Sequence, residues 1–124
     1  MSADALKFTK DHEWVRLEGD IAVMGISEHA QHELGDVVYV ELPAVGDSIK
    51  RGDALANVES VKAVSDVYAP VSGEIVAVNE NLEDHPEQIN KDAEGGGWIA
   101  KIKISDAAEL DELMPAEDYR KMIS

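Results

Sequence analysis

From Trp14 to Ile104 the chain runs as short β-prone stretches separated by Gly, Asp and Asn, a spacing that predicts a small all-β sandwich or barrel with peripheral helices. Trp14-Val15-Arg16-Leu17 and Ile21-Ala22-Val23-Met24 flank Glu18-Gly19-Asp20, a hairpin signal because glycine supplies the positive φ of a tight turn. Val37 to Leu42 is the most β-prone run and stops at Pro43, which has no N–H to give a ladder. Two strands, Ala54 to Glu59 and Ala63 to Tyr68, read as a hairpin with Ser60-Val61-Lys62 at its tip. Pro70-Val71-Ser72-Gly73 leads into a further strand, and Glu94-Gly95-Gly96-Gly97 reads as a turn entering a strand over Trp98 to Ile104.

The period changes in three places. Ser27, Glu28 and Gly35 have the chemistry of a cap, a first turn and a left-handed stop, so a short helix is predicted between Ser27 and Gly35. A second is predicted over Asn81 to Ile89, with Pro86 at a helix start or dividing it. In the tail, Asp106 and Glu109 have capping-box spacing and Leu110, Leu113 and Met114 share a face; Pro115 interrupts, and Tyr119, Met122 and Ile123 repeat the spacing. By strand membership the core candidates are Val38, Val40, Leu42, Val58, Val67, Val71, Ile75, Val76, Ile99, Ile102 and Ile104.

Composition narrows the chemistry. A chain of 124 residues, 44% hydrophobic, suffices for one domain over 1–124, with a core of about 14–104 and a C-terminal helical segment of about 106–123. The net charge of −15 opposes binding to nucleic acid phosphates or anionic lipid. Without cysteine there is no thiol nucleophile or thiolate metal site, so any redox chemistry belongs to something attached. Met1 to Phe8 lacks the basic start and apolar run of a signal peptide, and no stretch approaches the roughly 18 apolar residues of a membrane span, so a cytoplasmic protein with no membrane contact is expected. His29 and His32 stand near metal-ligand spacing without a third ligand, and the glycine run lacks the Lys-Ser/Thr of a phosphate loop. Lys62, at a hairpin tip, is on position alone either an ordinary solvated lysine or a presented amine.

A resemblance separates the two. Glu59-Ser60-Val61-Lys62-Ala63-Val64-Ser65-Asp66, followed by Tyr68-Ala69-Pro70-Val71-Ser72-Gly73-Glu74, resembles the lipoyl-attachment motif of the glycine cleavage system H-protein family. His12-Glu13-Trp14-Val15, Gly25-Ile26-Ser27-Glu28-His29-Ala30-Gln31, Leu34-Gly35-Asp36, Val38-Tyr39-Val40-Glu41-Leu42-Pro43 and Gly97-Trp98 are similar to family blocks in the same order. The chain departs from the family at Ala93-Glu94, where Pro-Tyr is usual, and at Asp11, where some members have Ser.

The resemblance implies an all-β sandwich of the lipoyl/biotinyl (barrel-sandwich hybrid) type with short peripheral helices and a C-terminal helical segment. It implies lipoic acid in amide linkage to Lys62 and a non-catalytic, monomeric shuttle. Its arm would take an aminomethyl group from the pyridoxal-phosphate glycine decarboxylase to the tetrahydrofolate-dependent aminomethyltransferase and be reoxidised by dihydrolipoamide dehydrogenase. It further implies that Glu13 and Asp66 face the loaded arm in a cleft, where a carboxylate favours an ammonium group. The plainer readings are a solvated acid beside Trp14 for Glu13 and a turn cap or solubilising charge for Asp66. Glu59, with Asp66 on the other strand, would flank the target amine for a lipoate-attaching enzyme. Other readings remain: a lipoyl domain of a 2-oxoacid dehydrogenase, disfavoured by the absence of a Pro/Ala-rich linker; a biotinyl carrier, disfavoured by Val61 and Ala63 where methionines are usual; a donor of lipoyl groups to other proteins; and an acidic interaction module whose Lys62 stays unmodified.

Overall fold

The computed structural model describes residues 6–123; the reading of Met1 to Ala5 as free of a targeting signal lies outside them. Two antiparallel sheets enclose the core. The larger contains β1 (Lys7–Phe8), β2 (Glu13–Glu18), β3 (Ile21–Ile26), β5 (Ser48–Ile49), β8 (Gly73–Val78), β9 (Ala100–Ile104) and β10 (Met114–Pro115) in the order β10-β1-β2-β3-β9-β8-β5. The smaller contains β4 (Val37–Glu41), β6 (Ala54–Ser60) and β7 (Val64–Tyr68) in the order β4-β6-β7. The sandwich of lipoyl-domain type is thus the observed architecture.

Apolar side chains from both sheets meet between them: Val15, Met24, Val40, Val58, Val67, Val71, Ile75, Ile99 and Ile102 are all buried. Two core candidates are not inside. Val38 and Val76 are exposed, and each lies at a register shift, between Val37 and Tyr39 in β4 and between Ile75 and Ala77 in β8. A bulge inserts an unpaired residue, so strict alternation fails there. Leu42 and Ile104 are partly buried against the core.

The first hairpin turns at Gly19 (φ 67°) as its sequence predicts. Within it Trp14 stands opposite Gly25, where a Cβ would come within 2.9 Å of the indole nitrogen, so the glycine makes room for the ring. The indole N–H is satisfied by the Ala93 carbonyl at 2.8 Å.

The first helix, α1 (Glu28–Leu34), has its predicted bounds: the Ser27 hydroxyl accepts from Ala30 N–H at 3.1 Å, and Gly35 at φ 80° ends it. Pro86 does divide the second helical region, into α2 (Asn81–Asp84) and α3 (Gln88–Asp92). The tail differs from two amphipathic helices. Residues Ala107–Glu112 form a 3-10 helix, Met114–Pro115 pairs as an edge strand with Phe8 and Lys7, and only then does α4 (Ala116–Ile123) begin. Asp106 caps Ala108 N–H, but Glu109 does not close a capping box: its carboxylate takes the N–H and hydroxyl of Ser72 at 2.6 and 2.8 Å. The tail is tied across the chain rather than to its own cap. A second cluster, Leu6, Phe8, Trp14, Val23, Ala116 and Tyr119, buries α4 on the outer side of the larger sheet.

Gly73, at φ 158°, runs so close to β9 that a Cβ would stand 2.0 Å from the Lys103 carbonyl oxygen, which is backbone and cannot step aside. Gly73→Ala is expected to cost about 2 kcal/mol or more, measured as a lowered denaturant midpoint with unchanged slope.

Candidate functional site

Lys62 stands exposed on the turn between β6 and β7, as the sequence places it. Ser60 makes that turn rigid. Its backbone N–H donates to the Ala63 carbonyl at 2.7 Å, and its hydroxyl accepts the N–H groups of Lys62 and Ala63 at 3.2 and 3.0 Å. The Val61 N–H donates to the Asp36 carbonyl at 3.0 Å, which moors the turn to the entry of β4. On the other side Lys62 Cε lies 3.6 Å from where a Cβ on Gly35 would sit, so the lysine stem runs past the end of α1. Asn90 holds that end in place: its amide N–H groups reach Gln31 Oε1 and the Gly35 carbonyl, both at 2.9 Å, while its oxygen takes Val37 N–H at 2.8 Å. Sequence reading singled out neither Ser60 nor Asn90 for this work; the Ser two residues before the lysine, a common turn former, was the available signal.

Beside this hairpin a cleft of about 350 Å³ opens between α1, the start of β2 and β7. Asp11, Glu13, Glu33 and Asp66 give it an acidic lining, and Ile26, Val58 and Val67 form an apolar wall. Glu13 and Asp66 are therefore brought to one cleft. Asp66 is exposed on the outer strand β7, opposite Asn57. Glu59 is not part of the cleft; it stands on the outer face of the small sheet between Tyr39 and Val64.

Glu13 is not the solvated acid of the plainer reading. Its residue is only 2% exposed, with one oxygen accepting the Thr9 hydroxyl at 2.5 Å and the other the Tyr68 N–H at 3.1 Å. Burial pushes its carboxyl up to about 7, against the two hydrogen bonds that favour the charged form.

His12 lines the same cleft, in a backbone conformation unusual for a non-glycine residue (φ 74°). Its Nδ1 lies 2.7 Å from the Tyr119 hydroxyl, which in turn lies 2.7 Å from Ser27 Oγ, so α4, the cap of α1 and the cleft wall share one polar chain. Burial and the neighbouring His29 hold the His12 pKa down. The sequence marked Tyr119 only as one residue of an apolar face. At the family departure, the Glu94 carboxylate accepts Glu28 N–H at 2.8 Å and so supports the start of α1. His29 and His32 belong to no metal-holding group among the described residues.

A rigid hairpin presenting one amine beside a partly apolar, acid-lined cleft, on a two-sheet sandwich, defines a carrier domain of the lipoyl/biotinyl class. Comparison with known proteins specifies it. Residues 6–124 match the family model described as glycine cleavage H-protein, and the chain belongs to that family. It is 56% identical over 119 residues to the glycine cleavage system H protein of Phenylobacterium zucineum, covering 96% of this chain and 98% of that one. It is 60% identical over 119 residues to that of Shewanella loihica, covering 95% and 92%. The crystal structure of a glycine cleavage system H protein from Mycobacterium marinum superposes with a TM-score of 0.89 at 36% identity, covering 96% of each chain. The protein is a lipoyl-bearing shuttle of the glycine cleavage system and not itself an enzyme. No helix among the described residues is long and apolar enough to cross a membrane.

Because the folded pKa of Glu13 is raised above its unfolded value of 4.5, its contribution to stability is fully present below about pH 4.5 and is lost as the pH rises through about 7. Glu13→Gln, which stays neutral, should match the wild type at the acid end and gain on it by up to about 3 kcal/mol above neutrality. Paired denaturant titrations across that range check this; parallel stability curves contradict it.

Proposed function

We propose that Lys62 carries the lipoyl group and that the adjacent cleft receives the loaded end of the arm. What carries this reading is the position of Lys62, the sole basic residue in segments 36–42 and 54–68, on a turn fixed by Ser60 and Asp36, with its stem directed past Gly35 beside the cleft. The fit is sterically open: the contact at Gly35 is ordinary van der Waals distance, and a cleft of about 350 Å³ lies in the range of small-molecule sites. When attached, lipoate supplies a dithiolane that cycles between disulfide and dithiol and accepts a one-carbon amine unit. This chain's own residues do the rest without catalysing a step.

Ser60 and Asp36 keep the attachment point from wandering, so the arm moves while its base does not. Ile26, Val58 and Val67 keep water from one side of the cleft, and Glu13 and Asp66 offer charge to an ammonium group. Asp11 and Glu33 strengthen the same field. An ammonium arriving near Glu13 favours its charged form, so entry of the cation expels a proton from that carboxyl at neutral pH. The partners of this reading are the glycine decarboxylase, the aminomethyltransferase, dihydrolipoamide dehydrogenase and the lipoate-attaching enzyme, which Glu59 and Asp66 help to orient. Residues 1–124 act as one domain, a monomer in the cytoplasm, the reducing compartment in which a dithiol persists.

Co-expression with a lipoate-attaching enzyme, followed by intact and peptide mass spectrometry, tests the assignment. A lipoyl increment should map to Lys62, and Lys62→Arg should lack it and show no glycine cleavage, because a guanidinium does not form the amide. An unmodified Lys62, under conditions that lipoylate a known acceptor, contradicts the proposal.

A further inference from the structure

The outer face of the β4-β6-β7 sheet gathers exposed apolar side chains around Glu59 at the end that carries Lys62. Cross-strand pairing puts Tyr39, Glu59 and Val64 in one row, and the bulge after Val37 leaves Val38 outside as well. Val61 stands on the turn itself, held there by its N–H bond to Asp36. Val38, Tyr39, Val61 and Val64 are 50, 52, 69 and 64% exposed. They are four of the nine large hydrophobic side chains exposed among the described residues, gathered at one end of one sheet. An exposed apolar cluster of this kind, rimmed by charge, marks an interaction surface more often than scattered single residues do.

We infer that this cluster is the docking surface for the enzyme that acylates Lys62, an inference that rests on the lipoyl-attachment reading. Reach decides the occupant. The acylating enzyme has to bring Nζ itself to an activated lipoyl carbonyl. There the C–N amide bond forms from the neutral amine, the bond from the carbonyl carbon to its nucleotide phosphate oxygen breaks, and the nitrogen's proton passes to solvent. Its surface therefore closes on the turn and its immediate neighbours. Enzymes that act on the finished arm meet the dithiolane at the far end of a long chain of single bonds and can stand off from the tip. Charge adds the partner's chemistry: Glu59 stands within the patch, between Tyr39 and Val64, Asp36, Glu41 and Asp66 lie along the same strands and their entry, and Lys62 is the sole base in segments 36–42 and 54–68. The enzyme that fits presents an apolar hollow rimmed with Lys and Arg.

The test uses the unmodified full chain, a lipoate–protein ligase, lipoate and ATP, with lipoylation followed by intact mass over a series of carrier concentrations. Val38→Thr, Tyr39→Thr and Val64→Thr, singly and together, remove apolar surface while keeping β-prone residues. Val45→Thr, an exposed apolar residue in a distant loop, is the control. The combined variant should lose about tenfold or more in kcat/KM for lipoylation, carried by KM, with an unchanged melting curve and full modification at long times. The Tyr39→Thr single variant, expected to show a smaller loss in the same direction, carries the test if the combined variant melts lower. Unchanged kcat/KM overturns the inference and leaves Lys62 as the attachment site. Normal lipoylation combined with impaired exchange at the glycine decarboxylase also overturns it, by assigning the patch to another partner. Failure of the wild-type chain to be lipoylated overturns the attachment reading, and this inference with it.

Discussion

Glu13 carries a carboxyl group from the larger sheet into the seam beside β7, where one oxygen takes the amide of Tyr68 and the other the hydroxyl of Thr9. Two donors are satisfied at once by one buried acid, and the edge of the small sheet is fixed against the start of β2. Taking an acid out of water is costly, which is why its pKa is raised, and removing it altogether would leave the Tyr68 N–H without a partner. The cleft keeps its shape because one group holds both of its sides. On the function proposed above, a cation entering the cleft would compete with Thr9 and Tyr68 for that one carboxyl.

Around that seam the polar bonds fix the turn that bears Lys62 from several directions. Ser60 fixes the turn from within, Asp36 from β4, and Asn90 fixes the end of α1 past which Lys62 runs. The far wall depends on α4, through Tyr119, His12 and Ser27. A carrier that is visited in turn by several enzymes gains from this: ordering a loose loop at every encounter would weaken each complex, whereas a pre-ordered tip spends none of the binding free energy on itself.

Elements with local causes were legible in the sequence. The Gly19 turn, the α1 caps at Ser27 and Gly35, the break at Pro86 and the hairpin bearing Lys62 are all dictated within a few residues. The misassigned core residues, Val38 and Val76, both sit at register shifts, where pairing with a distant strand overrides local alternation. The tail failed for the same reason: Glu109 has the spacing of a local cap, but Ser72, from a distant turn, offers it two donors. Of the proposed site, Lys62, Glu13 and Asp66 were candidates through family resemblance alone, while the burial of Glu13 and the pairing of Tyr119 with His12 depend on contacts between residues far apart in the chain.

The strand that carries Asp66 is also an open sheet edge. Unpaired edges invite strands from other molecules, and β7 has an exposed valine beside its free side, the ingredients of edge-to-edge polymerisation. Glu13 already occupies the Tyr68 amide that an incoming strand would need, and Asp66 sets a charge midway along the same edge. The two acids thereby leave that edge less open to another strand, and an apolar residue in place of either would free part of it for pairing.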